Sequence, residues 1–327
     1  MEPIIFTVSL ILTFALTVIF LSFLIPALKS WKMGQKILDI GPRWHKSKEG
    51  TPTMGGLAFI AACLVTSTIT VAFIVALDGP AGSSALILTL ALALANGAVG
   101  VFDDLVKFSH KRNEGLRASQ KYFLQLVVAG LYLFGMYMTG NITTELYIPF
   151  VGIFLDLGIF YFVVALLVIT GIVNSVNLAD GVDGLVSCET VVVGIFFAAV
   201  SFSIGDFHAA FVSALAIGSS LGFLVYNFPP AKVFMGDTGA LFLGGMLAGL
   251  AFMVGNPLII LIAGIMYVVE SLSVMIQVTS YKLTRKRVFK MSPIHHHFEM
   301  CGWSELKIDC VFTLITALAC CLAWFGF

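Results

Sequence analysis

Residues 3–28 read PIIFTVSLILTFALTVIFLSFLIPAL, an apolar run that no charged side chain interrupts. A helix needs about 20 such residues to cross a hydrocarbon layer of roughly 30 Å, so this stretch is long enough to span a membrane. A cleaved secretory leader would show a basic segment ahead of the run and a small-residue cleavage point behind it. Neither occurs before Lys29, and the run is therefore expected to persist as a first span.

Comparable windows recur along the chain, at about 55–77, 83–102, 119–139, 158–176, 185–204, 207–226, 238–255, 257–281 and 308–326. With 3–28 they predict an all-α, polytopic integral membrane protein of about ten transmembrane helices. The whole of 1–327 then forms one transmembrane catalytic domain with no soluble domain attached. Of the 327 residues 59% are hydrophobic and only 11% charged, against roughly a quarter in soluble domains, which argues against a large soluble bundle. Between spans four and five, Asn141–Leu157 holds β-branched residues and Pro149 but few charges, the pattern of a short hairpin at the membrane surface. The cysteines at 63, 188, 301, 310, 320 and 321 show no Cys-x-x-Cys spacing and read as reduced packing residues.

Net charge is zero, which gives no reason to expect nucleic acid as a partner, but its distribution is one-sided. All 18 Lys and Arg fall in alternate loops and their flanking helix ends: residues 29–54, 103–121, around Lys232, and 282–307. The intervening loops carry only acids, among them Asp78, Glu145, Asp156 and Asp206. By the positive-inside rule the basic loops face the cytoplasm, which places both termini outside. A multi-pass membrane protein with its chemistry at the cytoplasmic face is the expectation.

Five clusters on that basic side can carry chemistry. Lys48-Glu-Gly-Thr-Pro-Thr-Met-Gly-Gly56 can present backbone N–H groups and a cation to a phosphate, although a plain turn explains the same letters. Phe102-Asp-Asp-Leu-Val-Lys107 puts two carboxylates at the membrane boundary, where they repel unless a cation compensates them. On a helix Asp103 and Asp104 point about 100° apart, so one can face a cavity while the other pairs elsewhere. Asp103 and Lys107 have the spacing of a surface ion pair, which is the plain alternative. In Asn174-Ser-Val-Asn177-Leu-Ala-Asp180-Gly-Val-Asp183-Gly184, two amides one turn apart precede two carboxylates in a glycine-hinged loop without a basic residue. These hard oxygen donors suit Mg²⁺ and a polar ligand.

The fourth cluster is Asn227-Phe-Pro-Pro-Ala-Lys232-Val-Phe234-Met-Gly-Asp237-Thr-Gly239. Asp237 can cap the helix that follows, or approach a metal-bound phosphate between its flanking glycines, and Phe234 offers a flat face to a base. The fifth is Pro293-Ile-His295-His296-His297-Phe298-Glu299 in the longest basic loop. Consecutive histidines lack zinc-ligand spacing, and beside so many cations they are better suited to a polyphosphate.

In this order the five clusters resemble those of the phospho-N-acetylmuramoyl-pentapeptide-transferases, the bacterial MraY family within the polyprenyl-phosphate N-acetylhexosamine-1-phosphate transferases. The resemblance covers essentially the whole chain. Its most specific string is Pro293-Ile-His-His-His-Phe-Glu-Met-Cys-Gly-Trp303-Ser-Glu-Leu-Lys-Ile308, supported by Thr51–Gly56 and Asn174–Gly184; at Val311-Phe-Thr313 the family pattern would have bulkier aromatics. The resemblance implies a Mg²⁺-dependent reaction of UDP-MurNAc-pentapeptide with undecaprenyl phosphate, giving lipid I and UMP. It also implies roles. Asp237 and Asp183 would hold the metal, Asp103 would serve as base or orienting group for the lipid phosphate, and Asp104 would stand beside it. Asn174 and Asp183 would orient the diphosphate and metal, Asn177 would bind substrate, and Asp180, Gly181, Asn227 and Phe234 would form the uridine pocket. Lys48, Lys121, His295, His296 and His297 would contact phosphate or sugar, while Thr53 and Gln277 would line the cavity.

A relative acting on UDP-GlcNAc is the nearest alternative, and the His-His-His-Phe-Glu loop argues against it. A secondary transporter would show paired broken helices at mid-membrane rather than polar clusters at one face. Membrane lipid is a partner on either reading. The small-residue face Gly244-Gly245 to Gly249 is compatible with a homodimer and equally with packing inside the bundle.

Overall fold

The computed structural model describes residues 2–31, 48, 50–110 and 115–327, with the side chains of 73–81 and 110 outside that description. Lys32, Lys36, Arg43, Lys46, Lys111 and Arg112 of the basic loops, and the Asp78 side chain, therefore lie outside the described residues. Helices α1 (Glu2–Ser30), α2 (Gly56–Gly82), α3 (Ser84–His110) and α4 (Ala118–Met138) come first, followed by strands β1 (Glu145–Ile148) and β2 (Ile153–Asp156). Then come α5 (Phe160–Ala179), α6 (Leu185–Ile204), α7 (Phe207–Asn227), α8 (Gly236–Met253), α9 (Ile260–Ala263), α10 (Ile265–Thr284), α11 (Ile294–Glu299) and α12 (Glu305–Gly326). Among the described residues, eight helices are long and apolar enough to cross a membrane. The chain is an all-α polytopic membrane protein.

Burial explains why these helices need lipid. The outer faces expose Ile4, Val8, Ile11 and Phe23 on α1, Leu131 and Phe134 on α4, and Leu314, Leu318, Leu322 and Phe325 on α12. At about 25 cal/mol per Å² of apolar surface, such faces are stable only against hydrocarbon. The inward faces carry small residues instead. On α1, Ser9, Thr13 and Thr17 recur every fourth position and are buried, and Thr13 donates to Thr66 of α2 at 3.1 Å. Side chains added at Gly218 or Gly222 of α7 would strike this stripe, at Thr13 and Thr17 respectively, so α1 and α7 approach closely because both are small there.

Helix α8 is the most enclosed. A Cβ at Gly245 or Gly249 would meet Ala93 or Thr89 of α3, and one at Gly244 would meet the backbone of Val173 in α5. The small-residue face is thus used within the bundle and gives no argument for a homodimer. At the other end of the same contact a Cβ at Gly100 of α3 would overlap the carbonyl of Asp237, and one at Gly56 of α2 would overlap the backbone of Gly239. Helices α2 and α3 therefore converge on the first turn of α8.

Three local expectations are refined. The 141–157 segment does form a hairpin, β1 and β2 pairing antiparallel with Glu145 opposite Asp156 and Ile148 opposite Ile153. The third helix does not stop near 102 but continues to His110, with Lys107 one turn on from Asp103 and Asp104 and within ion-pair distance of both, and with Leu116 and Thr238 supplying further donors to the two acids. The window 257–281 is broken at Gly264 into α9 and α10, where the Tyr267 ring and the Ile260 carbonyl crowd the position a side chain would take. Between α10 and α12, α11 carries the histidines and is anchored by Ile294, which joins Val182, Leu185, Met266, Ile308 and Phe312 in a small apolar cluster of its own.

Candidate active site

Because successive long helices alternate in direction, the ends of α3, α5, α7 and α10 meet the starts of α2, α4, α6, α8 and α12 at one end of the bundle. At its centre, Asp103, Asp104 and Asp237 bring carboxylate oxygens within 4.8 Å of one another. Asp103 and Asp104 are only 3% and 5% exposed, whereas the Asp237 side chain is 18% exposed and open to a ligand.

Each acid is held by identifiable groups. Lys107 Nζ lies 2.8 Å from Asp103, 3.3 Å from Asp104 and 2.9 Å from Asp237. Lys121 Nζ approaches the same Asp237 oxygen at 2.6 Å and donates to Asn177 Oδ1 at 2.9 Å. Asn177 Nδ2 in turn donates to the other Asp237 oxygen at 3.0 Å. Asp104 accepts from the backbone N–H and the hydroxyl of Thr238, at 2.9 and 2.8 Å. It therefore satisfies an otherwise unpaired N–H at the start of α8 from a neighbouring helix. Leu116 N–H donates to Asp103 at 2.8 Å, and Gly115 allows that loop to close over the carboxylate, since a Cβ there would overlap it.

Gly236, in the left-handed region at φ 70°, turns the chain into α8 where a side chain would meet Asp104 and Thr53 Oγ1. Thr53 thus stands at the edge of the acid cluster. Phe234 N–H donates to Pro52 O and Phe234 O accepts from Gly55 N–H, at 2.9 and 2.8 Å, which ties the 51–56 turn to the start of α8. Asp180 lies beside the cluster. Burial, reinforced by Asp237, Asp104 and Asp183 and opposed by Lys107, pushes its carboxyl up to about 8.

A second polar group adjoins the first. Lys48 Nζ bridges Asp183 at 2.8 Å and Glu305 at 2.6 Å, and Ala231 N–H donates to the other Asp183 oxygen at 2.8 Å. Asn227 is fully engaged, accepting from Gly184 N–H and donating to Val233 O, both at 2.9 Å. Asn174 donates to Gln125 at 2.6 Å. Gln277 is committed to the loop after α10, bonding Val288 N–H and both backbone groups of Phe289. His295 is buried against Gly181, His296 lies 2.6 Å from Glu299, and His297 accepts from Lys290 N–H at 3.1 Å.

A family model described as glycosyl transferase family 4 matches residues 86–255, and phospho-N-acetylmuramoyl-pentapeptide-transferase signature 1 matches residues 48–60. Along the full length, the chain is 45% identical over 316 residues to a phospho-N-acetylmuramoyl-pentapeptide-transferase of Clostridium botulinum, covering 97% of this chain and 94% of that protein. The proteins of the same name from Clostridium novyi and Halalkalibacterium halodurans are 44% and 42% identical, over 97% and 96% of this chain and 95% of each relative. The chain belongs to the phospho-N-acetylmuramoyl-pentapeptide-transferase family.

For this family member the geometry corrects two local readings. Asp103 and Asp104 do not divide between a cavity and a separate partner. Lys107 lies within ion-pair distance of both, so the i,i+4 pair that was the plain alternative is part of a partly buried four-membered charge cluster with Asp237. Nor does Asp237 cap α8; Met235 occupies the cap position without a side-chain bond, and Asp104 serves the Thr238 N–H. Sequence reasoning passed over the central role of Lys107, and it missed Gln125, Thr238, Glu270 and Glu305. Gln125 had a signal: Lys121 and Gln125 stand one turn apart on α4 and meet Asn177 and Asn174, one turn apart on antiparallel α5.

Proposed function

We propose that this chain transfers phospho-MurNAc-pentapeptide from UDP-MurNAc-pentapeptide to undecaprenyl phosphate, giving lipid I and UMP, at the cytoplasmic face of the bacterial plasma membrane. The supporting observation is the convergence of Asp103, Asp104 and Asp237 with Lys107, Lys121 and Asn177 at the end of the bundle that gathers the basic residues. A ten-span path with both termini outside belongs to the same reading, with α9 and α10 as the broken ninth span.

The donor set fits Mg²⁺: oxygen ligands only, and more carboxylates than the two lysines can balance. Asp237, the most accessible of the acids, would hold the ion with Asp103 or Asp104. Asp183, which Lys48 and Ala231 engage, would join only by releasing Lys48. When bound, the ion neutralises charge on the diphosphate and on the leaving group.

In the reaction, an oxygen of the prenyl phosphate attacks the phosphorus that carries the sugar. The bond from that phosphorus to the bridging oxygen breaks, and the bridging oxygen leaves with UMP. Lys107 and Lys121 share one carboxylate oxygen in the resting protein, so either can turn to a phosphate oxygen when the diphosphate arrives. Asp103 orients the attacking phosphate or takes its proton. Asp180, Gly181, Asn227 and Phe234 surround the uridine, and Lys48, His296 and His297 reach the phosphate and sugar, while His295, expected to do the same, is fully buried and stands behind them. Direct attack is favoured over an aspartyl-phosphate intermediate because both oxygens of each of the three clustered carboxylates already serve lysines or hydrogen-bond donors.

The deciding assay compares UDP-MurNAc-pentapeptide with UDP-GlcNAc, using a short prenyl phosphate and Mg²⁺ titrated against a chelator. UMP release with the first nucleotide, dependent on both acceptor and Mg²⁺, is expected. Preferential turnover of UDP-GlcNAc would overturn the substrate assignment, and a stoichiometric burst of UMP without acceptor would overturn direct attack.

A further inference from the structure

Glu270 lies in α10 with no exposed surface, and no step above uses it. Its Oε2 stands 3.1 Å from His295 Nδ1 and accepts from the His295 backbone N–H at 3.4 Å, while Oε1 has no hydrogen-bond partner among the described residues. His295 is likewise 0% exposed. Among the described residues neither ring nitrogen makes a hydrogen bond: Nδ1 faces Glu270 at ion-pair distance, and Nε2, on the opposite edge, lies against Gly181, where a Cβ would overlap it. His296 packs against His295 edge to face, with ring centroids 4.1 Å apart.

A carboxylate removed from water is costly unless it meets a complementary group, and an apolar side chain of similar volume would fill this position more cheaply. Deeper in the bundle the neighbouring acid Glu189 also lacks a partner, so His295 is the one group at ion-pair distance from Glu270 among the described residues. A carboxylate at one imidazole nitrogen fixes which nitrogen carries the proton and how the ring is turned. Here the ring so placed supports the Asp180–Gly184 loop at Gly181, where the absence of a side chain lets it lie against the backbone.

We propose that Glu270 is a positioning residue. It holds His295 with Nδ1–H toward the membrane interior, so that Nε2 and the His296 ring set edge to face against it are presented to the loop that receives the nucleotide. This rests on the transferase reading given above. Glu270 touches no reacting atom; it acts through His295.

Three proteins test the idea: Glu270→Gln, which keeps the shape and removes the charge, His295→Ala, and the double variant. Turnover of UDP-MurNAc-pentapeptide should fall ~10–100-fold in kcat/KM for Glu270→Gln, the usual effect of losing such a supporting carboxylate, with the melting temperature nearly unchanged. The double variant should lose little beyond His295→Ala, because residues acting as a unit are not additive. Glu270→Gln within twofold of the parent, or a double loss equal to the product of the single losses, overturns the proposal. A second readout needs neither folding of the variant nor turnover: in ¹⁵N-histidine-labelled protein in nanodiscs, the His295 signal should show a protonated Nδ1. A neutral ring carrying its proton on Nε2 refutes the positioning role even if the enzyme is active. Conversely, an Nδ1–H signal in a protein inactive toward UDP-MurNAc-pentapeptide would sink the substrate assignment alone.

Discussion

Gly100→Ala tests the idea that glycine contacts, not only charges, build the site. A Cβ at position 100 overlaps the Asp237 carbonyl and lies 2.7 Å from Thr238 Cα, both of them backbone that cannot rotate away. Restoring ordinary contact requires the first turn of α8 to withdraw from α3 by about 1 Å, and a displacement of that size at a reacting centre costs on the order of 100-fold in rate. The overpacking itself should destabilise the bundle by about 1–3 kcal/mol. Gly171→Ala and Gly130→Ala serve as controls, since nothing lies within 4 Å of a Cβ at either helical position and alanine is the better helix former. The assay is UMP release with saturating Mg²⁺, read beside thermal unfolding in detergent. The expected result is a Gly100→Ala protein that melts slightly earlier, binds nucleotide and turns over about two orders of magnitude more slowly, with both controls near the parent. A Gly100→Ala protein within threefold of the parent at an unchanged melting temperature would refute the claim that the α3–α8 contact sets the place of Asp237.

Asp103→Asn should abolish turnover while leaving nucleotide binding measurable by calorimetry; near-normal turnover removes Asp103 from its assigned role. Lys121→Met leaves Lys107 as the one lysine on Asp237 among the described residues, and a loss of ~10²–10³ in kcat is expected, as for removal of one donor that stabilises developing charge; rates within a few fold of the parent would count against a phosphate role. The raised carboxyl of Asp180 makes a signed pH prediction. The folded protein holds a proton there up to about pH 8, whereas the unfolded chain releases it near 4. Stability of the metal-free protein should therefore fall as pH rises through that window and level off above it. Asp180→Asn should raise the melting temperature more at pH 8.5 than at pH 5, and an equal change at both would show that Asp180 does not titrate in this window. Mg²⁺ affinity, measured by calorimetry, should rise between pH 6 and pH 8 in the parent and less so in Asp180→Asn.

Helices and their charges were readable for a simple reason: hydrocarbon imposes a length on each apolar run, and cations gather where water is. The ends of α6 and α7 fall within a residue or so of the windows 185–204 and 207–226. Asp103, Asp104, Asn177 and Asp237 stood out because polar side chains beside apolar runs require partners. Which partners they have was not readable, since Lys107 meets Asp237 across 130 positions of chain through the approach of α3 to α8. That approach depends on Gly100, Gly245 and Gly249, whose letters equally suit a lipid-facing or dimer-forming surface. Glu270 was hidden for the opposite reason: it sits inside an apolar window, and its ion-pair contact among the described residues is with a histidine of the later helix α11.

The arrangement resolves a conflict between the two substrates. The prenyl chain requires apolar surroundings and the diphosphate requires cations and water, so the reacting atoms must meet where the two environments touch. Charges buried there destabilise the bundle unless they are paired, and Lys107 among three acids supplies that pairing in the resting state. Pairing alone would make an inert salt cluster. The difference lies at Asp237, which is more exposed than its two acidic neighbours and carries both lysines on one oxygen. On the proposed reaction either lysine would leave for an incoming phosphate while the other stays. A Lys107→Met, Lys121→Met double variant separates the two functions: it should lose folded stability, through acids left unpaired, as well as activity, whereas Lys121→Met alone should lose mainly activity. Equal destabilisation by the single and the double variant would mean that the lysines do not share Asp237 in this way.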